Sequence, residues 1–382
     1  MNTVLIAGAV ATRPKTGGHA TAFLQWVLGL RALGYETWFV DRMPAGGCTD
    51  EAGRPCPPVK SRQWAYLRHV CESAGLAGRF VLLADGECLG ATREELQCAA
   101  RNAVLLNVNG YLDDEDLLHA ARLRAFVDID PGFPQLWLDH GLHDAFAGHD
   151  AFITVGERIG EPDCLIPTAG RTWITTPPPV FLRAWPQRTP VATDPITTVA
   201  TWRGPFAPIE HDGVRYGLRV HEFRRFVALA ELVDAPFELA LDIDPADGDD
   251  IERLRAHGWR LVDPVAVAFD PNAYRSYVQH SSAELCVAKE LYVRMRSGWV
   301  SDRSVCYLAS GRPVIAQDTG WRARYGGDEG LVAFSDLGEA VEAVGDVLEN
   351  YERHGKAARE LAADCFATTT TLPRLLERLG VR

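Results

Sequence analysis

Ser301, Asp302 and Ser304 stand at the start of a run in which Val305, Leu308 and Ala309 share one helical face and Gly311 supplies the stop. A helix start presents backbone N–H groups, and Arg303 adds a cation beside them, so a diphosphate suits this place. The strand-like Arg312-Pro-Val-Ile-Ala316 follows and opens into Gln317-Asp-Thr-Gly320. Gln317 and Asp318 thus lie beyond the carboxyl end of a buried strand, where hydrogen-bonding side chains meet sugar hydroxyls. Together the helix start and the loop describe a pocket for a nucleotide sugar.

The stretch from Ser297 to Trp321 resembles the donor-binding motif of glycosyltransferases of the GT-B fold. The resemblance extends more faintly to a glycine loop near the N-terminus and to a two-domain layout. It implies that the helix meets the nucleotide diphosphate and that the loop after the next strand meets the sugar. One residue departs from the pattern: many relatives carry a Glu inside this helix, shortly before the Gly-x-Pro turn, to hold the ribose hydroxyls, and here Cys306 stands near that place. The ribose contact then falls to Glu284, Glu290 or Asp302, and the nucleotide stays open.

Thr16-Gly17-Gly18-His19 sits where a first strand hands over to a first helix. Two glycines let the backbone approach a ligand closely, and a histidine there can take a proton from an acceptor hydroxyl near neutral pH. His19 resembles in position the general base of inverting members of the fold. Retaining members place a glycine-rich phosphate loop in the same region, so Gly17 and Gly18 leave the stereochemistry open. In Val127-Asp-Ile-Asp130, strand alternation sends Asp128 and Asp130 to one side; Asp130 is the first choice as partner of His19 and Asp128 the second. Asn107 and Asn109, at a neighbouring strand end, are weaker acceptor-site candidates. Arg203, Lys289 and Arg303 are candidates to neutralise the leaving diphosphate, the largest electrostatic demand of such a transfer. No Asp-x-Asp pair lies where a metal-dependent transferase holds its ion, so the expectation is no metal and no cofactor beyond a nucleoside diphosphate sugar as co-substrate. Trp299 and Trp321 flank the donor loops and are read as packing or stacking residues.

These groups need two frameworks to face one another. Residues 3–10 form an apolar run, followed by a glycine loop, a helical pattern over 20–33 and a strand-like 35–41, which is a βαβ unit. The alternation continues to residue 155, and residues 44–60 read as a long exposed loop. Pro177, Pro178, Pro179, Pro186, Pro190 and Pro195 cannot continue a helix or a central strand. A second βα series starts at residue 197, with one helix over 220–232. The division is therefore an acceptor-binding domain over 1–182, a linker over 183–195, a donor-binding domain over 196–355 and terminal helices over 356–382, which the resemblance places back on the first domain. The fold class is α/β: two doubly wound, Rossmann-like domains facing across a cleft.

With 382 residues, 47% of them hydrophobic and 24% charged, the chain has the composition of a globular enzyme of two domains. Its net charge of −12 disfavours a nucleic-acid polymer or an anionic membrane as partner. Nine cysteines, an odd number without a Cys-x-x-Cys pair, suit reduced thiols in a cytoplasmic protein. The apolar N-terminus has no basic leader and is too short to span a bilayer. The sequence thus predicts a metal-independent glycosyltransferase acting on a small hydroxylated acceptor. Alternatives are an epimerase or hydrolase on the same fold, or a catalytically silent nucleotide-sugar-binding protein. A dinucleotide-dependent dehydrogenase is disfavoured, because residues 8–17 do not form a tight Gly-x-Gly-x-x-Gly turn.

Overall fold

The computed structural model describes residues 3–189 and 194–381. Pro190, in the expected linker, lies outside the described residues. Eight strands, β1 (Thr3–Gly8), β2 (Glu36–Arg42), β3 (Phe80–Ala84), β4 (Glu87–Leu89), β5 (Val104–Val108), β6 (Leu123–Asp128), β7 (Ala151–Thr154) and β8 (Trp173–Thr175), form the first sheet in the order β4-β3-β2-β1-β5-β6-β7-β8. All neighbours are parallel except β3 with β4. The second half contributes β9 (Ile196–Thr201), the antiparallel hairpin β10 (Ile209–His211) and β11 (Val214–Tyr216), then β12 (Phe237–Asp242), β13 (Arg260–Val262), β14 (Ala283–Cys286), β15 (Val314–Gln317) and β16 (Leu331–Phe334). Its sheet runs β13-β12-β9-β14-β15-β16, wholly parallel, with the hairpin outside it.

Parallel strands covered by helices on both faces are apolar throughout, because no face meets water. Residues 4–8 of β1 and all of β3, β5 and β14 are buried, which is why these segments read as continuous apolar runs. The first helix, Gly17–Ala32, starts directly after the loop that leaves β1. That loop is fixed from beneath: the backbone N–H of Ala11 donates to Asp41 Oδ2 at 2.7 Å, and burial pushes the Asp41 carboxyl up to about 7.

The C-terminal segment ties the two halves together. The helix Tyr351–Leu361 packs on Asp302–Ala309, and the helix Thr368–Arg378 packs on Gly17–Ala32. Between them the chain crosses Val180, whose N–H donates to the carbonyl of Phe366 at 2.8 Å while its own carbonyl accepts from the Thr368 N–H at 3.0 Å. No helix among the described residues is long and apolar enough to cross a membrane.

Candidate functional site

The carboxyl ends of β9, β12 and β13 open onto a cleft of about 620 Å³ whose opposite wall is the loop from Arg13 to His19. Strand ends on one lobe and a strand-to-helix loop on the other are where doubly wound sheets hold nucleotides. Leu241, Ile243, Leu261 and Val265 give the cleft an apolar stretch among Asp242, Arg255 and Asp263. Arg13, Lys15, Arg219 and Arg303 add cations to its lining.

Arg219 is the group that sequence reasoning missed. It begins the short helix Arg219–Phe223, and its guanidinium donates to two backbone carbonyls, Thr201 at 3.1 Å and Val287 at 3.2 Å. No carboxylate forms an ion pair with it among the described residues. Burial, and then the neighbouring Arg303 guanidinium, hold its pKa below the usual arginine value. A cation held by neutral acceptors at the cleft wall, with another cation nearby, is short of negative charge. The only signal in the sequence was an arginine following Gly217-Leu218 at a helix start, behind a hairpin that the pattern did not show.

The other phosphate candidates are engaged elsewhere. Arg203 forks onto Asp247 outside the cleft. Arg303 lines the cleft, but its Nε donates to the wholly buried Glu284 and its Nη1 to the Val199 carbonyl at 3.1 Å. Glu284 is therefore no ribose ligand, and Glu290 pairs with Arg294 at 3.2 Å. Lys289 reaches across the lobes to Asp130 at 2.5 Å and lies over the rings of Phe133, Phe206 and Tyr292, 4.7 to 5.1 Å from their centres. Burial lowers the Lys289 pKa. Burial would raise Asp130, but the Lys289 ammonium outweighs it and holds the carboxyl below its ordinary value.

Asp130 is thus not the partner of His19. Its Oδ1 accepts from Lys289 and from the Tyr292 hydroxyl at 2.7 Å, and so joins the lobes. Asp128 is buried and accepts from Gln135 and Thr154, both at 2.8 Å, with burial lifting its pKa to about 6. Asn109 accepts the Ile129 N–H at 3.1 Å from a left-handed backbone with φ of 46°, and Asn107 donates to the Leu112 carbonyl at 2.8 Å; both close turns. His19 does line the cleft, and its Nε2 lies 3.0 Å from the Ala9 carbonyl. A carbonyl only accepts, so Nε2 carries the proton and a neutral ring keeps its lone pair on Nδ1. Burial and then the Arg13 charge lower His19 to about 4.

The start of the helix Asp302–Ala309 is already provided for. Ser301, the N-cap, accepts from the Arg303 N–H at 3.2 Å. Asp302 is exposed and lines the cleft, and its carboxylate accepts from the Ser301 hydroxyl at 3.5 Å. Ser304 is buried within the helix, outside the cleft lining. Gln317 is buried, accepting the Ala288 N–H at 3.2 Å and donating to Glu222 at 2.5 Å, and Asp318 accepts the Gly320 N–H at 2.7 Å to close its turn. Neither lines the cleft. Cys306 is buried beside Tyr274, whose ring does line the cleft and lies against Gly18. Trp299 and Trp321 are buried packing residues.

Gly17 and Gly18 line the cleft as expected, yet what requires a glycine at 17 is the other lobe. A Cβ on Gly17 would fall well inside contact distance of the Asp270 carbonyl, which is backbone and does not yield. Gly17→Ala is expected to lower stability by about 1–3 kcal/mol, the cost of overpacking, and to weaken nucleotide binding by parting the lobes. Thermal unfolding and calorimetric titration with nucleoside diphosphate check both.

No protein-family model matches the chain, and no curated protein matches its sequence. Solved structures do. An α-glucosyltransferase in complex with UDP superposes with a TM-score of 0.61 at 10% identity over 100% of both chains. HepE from Anabaena, in complex with UDP and glucose, gives 0.59 at 12% identity over 100% of both chains. Sucrose-phosphate synthase from Thermosynechococcus elongatus gives 0.55 at 12% identity over 99% of both chains. The fold is that of the GT-B glycosyltransferases.

Proposed function

We propose that this chain is a glycosyltransferase that moves a sugar from a nucleoside diphosphate, UDP in the first instance, to a small hydroxylated acceptor. The observation that carries the reading is Arg219: a half-buried cation in the wall of the cleft between two Rossmann-like lobes, with no ion-pair partner among the described residues. UDP in the aligned α-glucosyltransferase and HepE structures supports the nucleotide. The apolar floor of Leu241, Ile243 and Leu261 takes the base, and Arg219, with Arg13 and Lys15 from the facing loop, takes the diphosphate. These three cations stabilise the charge that grows on the leaving phosphate without a metal. The donor sugar then lies toward His19 and Asp302, where the lone pair of His19 Nδ1 receives a hydroxyl hydrogen bond. Some aligned structures hold DNA, but a net charge of −12 sets this chain against a polynucleotide acceptor. A cytoplasmic location, where nucleotide sugars meet polar acceptors, agrees with the nine free cysteines.

The test is UDP release from a panel of UDP-sugars with and without hydroxylated acceptors. Release that depends on acceptor supports transfer. Equal release without acceptor indicates a hydrolase or epimerase, and binding without release indicates a silent protein. His19 adds a signature in pH. With its pKa near 4, the ring keeps its neutral, hydrogen-bond-accepting form well below pH 6. The turnover step that needs this lone pair is expected to stay flat from pH 7 to about pH 5 and to fall as pH drops toward 4. A decline centred on the ordinary histidine value would place His19 in water and outside this role. His19→Ala is expected to remove most turnover while leaving UDP affinity unchanged, read by calorimetry.

A further inference from the structure

Outside the cleft, three side chains from the two lobes converge on one point. Asp139 and His140 end the helix Phe133–Asp139 of the first lobe, and His211 ends β10 on the hairpin of the second. His211 Nδ1 lies 3.4 Å from His140 Nε2 and 3.5 Å from Asp139 Oδ2, and one ligand atom from each residue falls within 4.8 Å of the others. These separations exceed an ordinary hydrogen bond of about 2.7–3.2 Å. They match the edge of a tetrahedron of ligands about 2.0–2.1 Å from a zinc ion, an edge of about 3.3–3.4 Å.

Asp212 Oδ2 lies 3.6 Å from the other ring nitrogen of His211, Nε2, too far for a direct hydrogen bond, and adds a negative charge beside the cluster. Asp139 and His140 are exposed and His211 is partly so, which leaves room for water in a fourth position.

We propose that Asp139, His140 and His211 form a divalent-metal clip, selective for zinc-like ions, that fastens the second lobe's hairpin to the first lobe. Two imidazoles, one carboxylate and a water make a ligand set suited to zinc. None of the three residues lines the nucleotide cleft, so the ion is no leaving-group catalyst. Its effect is on the relation of the lobes. Phe206, three residues before β10, stacks on Phe133 at the opposite end of the same helix, with ring centres 4.3 Å apart. Phe206 also covers the Lys289 ammonium that bridges to Asp130. The metal would hold one end of that helix and the aromatic stack the other.

Titration of the chelator-treated full chain with Zn²⁺ by calorimetry tests this. Free cysteines, the exposed Cys98 among them, offer competing sulfur ligands, so the reading is a difference between chains. Wild type is expected to bind one equivalent more than His211→Ala. Co²⁺ is expected to give the intense visible absorption of a tetrahedral ion in wild type alone, and Zn²⁺ to raise the melting temperature of wild type more than that of His211→Ala. The proposal is overturned if wild type and His211→Ala, with equal melting temperatures in chelator, bind the same number of ions with the same affinity. It is also overturned if the extra equivalent leaves Co²⁺ octahedral.

Discussion

Arg219→Gln is expected to lower kcat/KM for the UDP-sugar by about 10²–10³-fold, the loss seen when one preorganised donor to a developing oxyanion is removed. The magnitude follows from what surrounds the guanidinium. Two carbonyls orient it in the cleft wall, no carboxylate among the described residues pairs with it, and the diphosphate supplies the missing negative charge most fully as the sugar leaves. Glutamine's amide nitrogen stands where the arginine Nε does, so it keeps the Val287 carbonyl and gives up the Thr201 one, and thermal unfolding separates that loss from the loss of charge. Arg219→Lys is expected to recover part of it, because a point charge replaces a fork. The measurement is steady-state UDP release beside calorimetric UDP affinity and thermal unfolding. A kcat/KM within a few-fold of wild type, in a chain of unchanged melting temperature, would move the diphosphate away from this wall of the cleft.

That the decisive cation was invisible in the sequence, while the frame around it was plain, has a physical reason. Strands such as β3, β5 and β14 are buried on both faces, so each is an apolar run that declares itself without any partner. The glycine loop before His19 was legible for the same reason, since it directly follows such a run. The β10–β11 hairpin is three residues a side and mostly polar, and it hides among loop residues. The helix expected over 220–232 is instead two short ones, Arg219–Phe223 and Leu229–Leu232, separated where Phe226 and Val227 turn into the core. Side-chain partners were the least legible of all. Asp130 and His19 both belong to the first lobe and look suited to one another, but Lys289 and Tyr292 arrive from the second lobe with a charge and a hydroxyl that His19 cannot match. A motif shows which residue types stand near a ligand, whereas their commitments are fixed by residues far along the chain. The start of Asp302–Ala309 shows this at its sharpest: Ser301 caps it, and the cation beside it, Arg303, is committed to Glu284.

Glu284→Ala is expected to cost about 3–5 kcal/mol of stability, as removal of one partner from a buried ion pair does. Glu284 is inaccessible in the middle of β14, and Arg303 depends on it for charge: burial would lower the guanidinium pKa, and the Glu284 carboxylate more than reverses that. Without the carboxylate, Arg303 retains only the Val199 carbonyl and the Cys286 sulfur at 3.2 Å. A buried cation so poorly matched strains the sheet beneath the cleft, and denaturant unfolding measures the loss. The double variant Glu284→Leu with Arg303→Met separates a structural pair from a substrate-binding one. Replacing both charges with apolar groups of similar size removes the desolvation penalty along with the attraction, so stability is expected to return close to wild type. UDP affinity in the double variant is expected to fall far less than in Arg219→Gln, because Arg303 spends its charge on Glu284 whereas Arg219 has none to spend it on but the ligand. If the double variant instead recovers stability and loses UDP as completely as Arg219→Gln does, Arg303 exchanges its carboxylate for the diphosphate on binding, and the helix start regains the role that its sequence suggests.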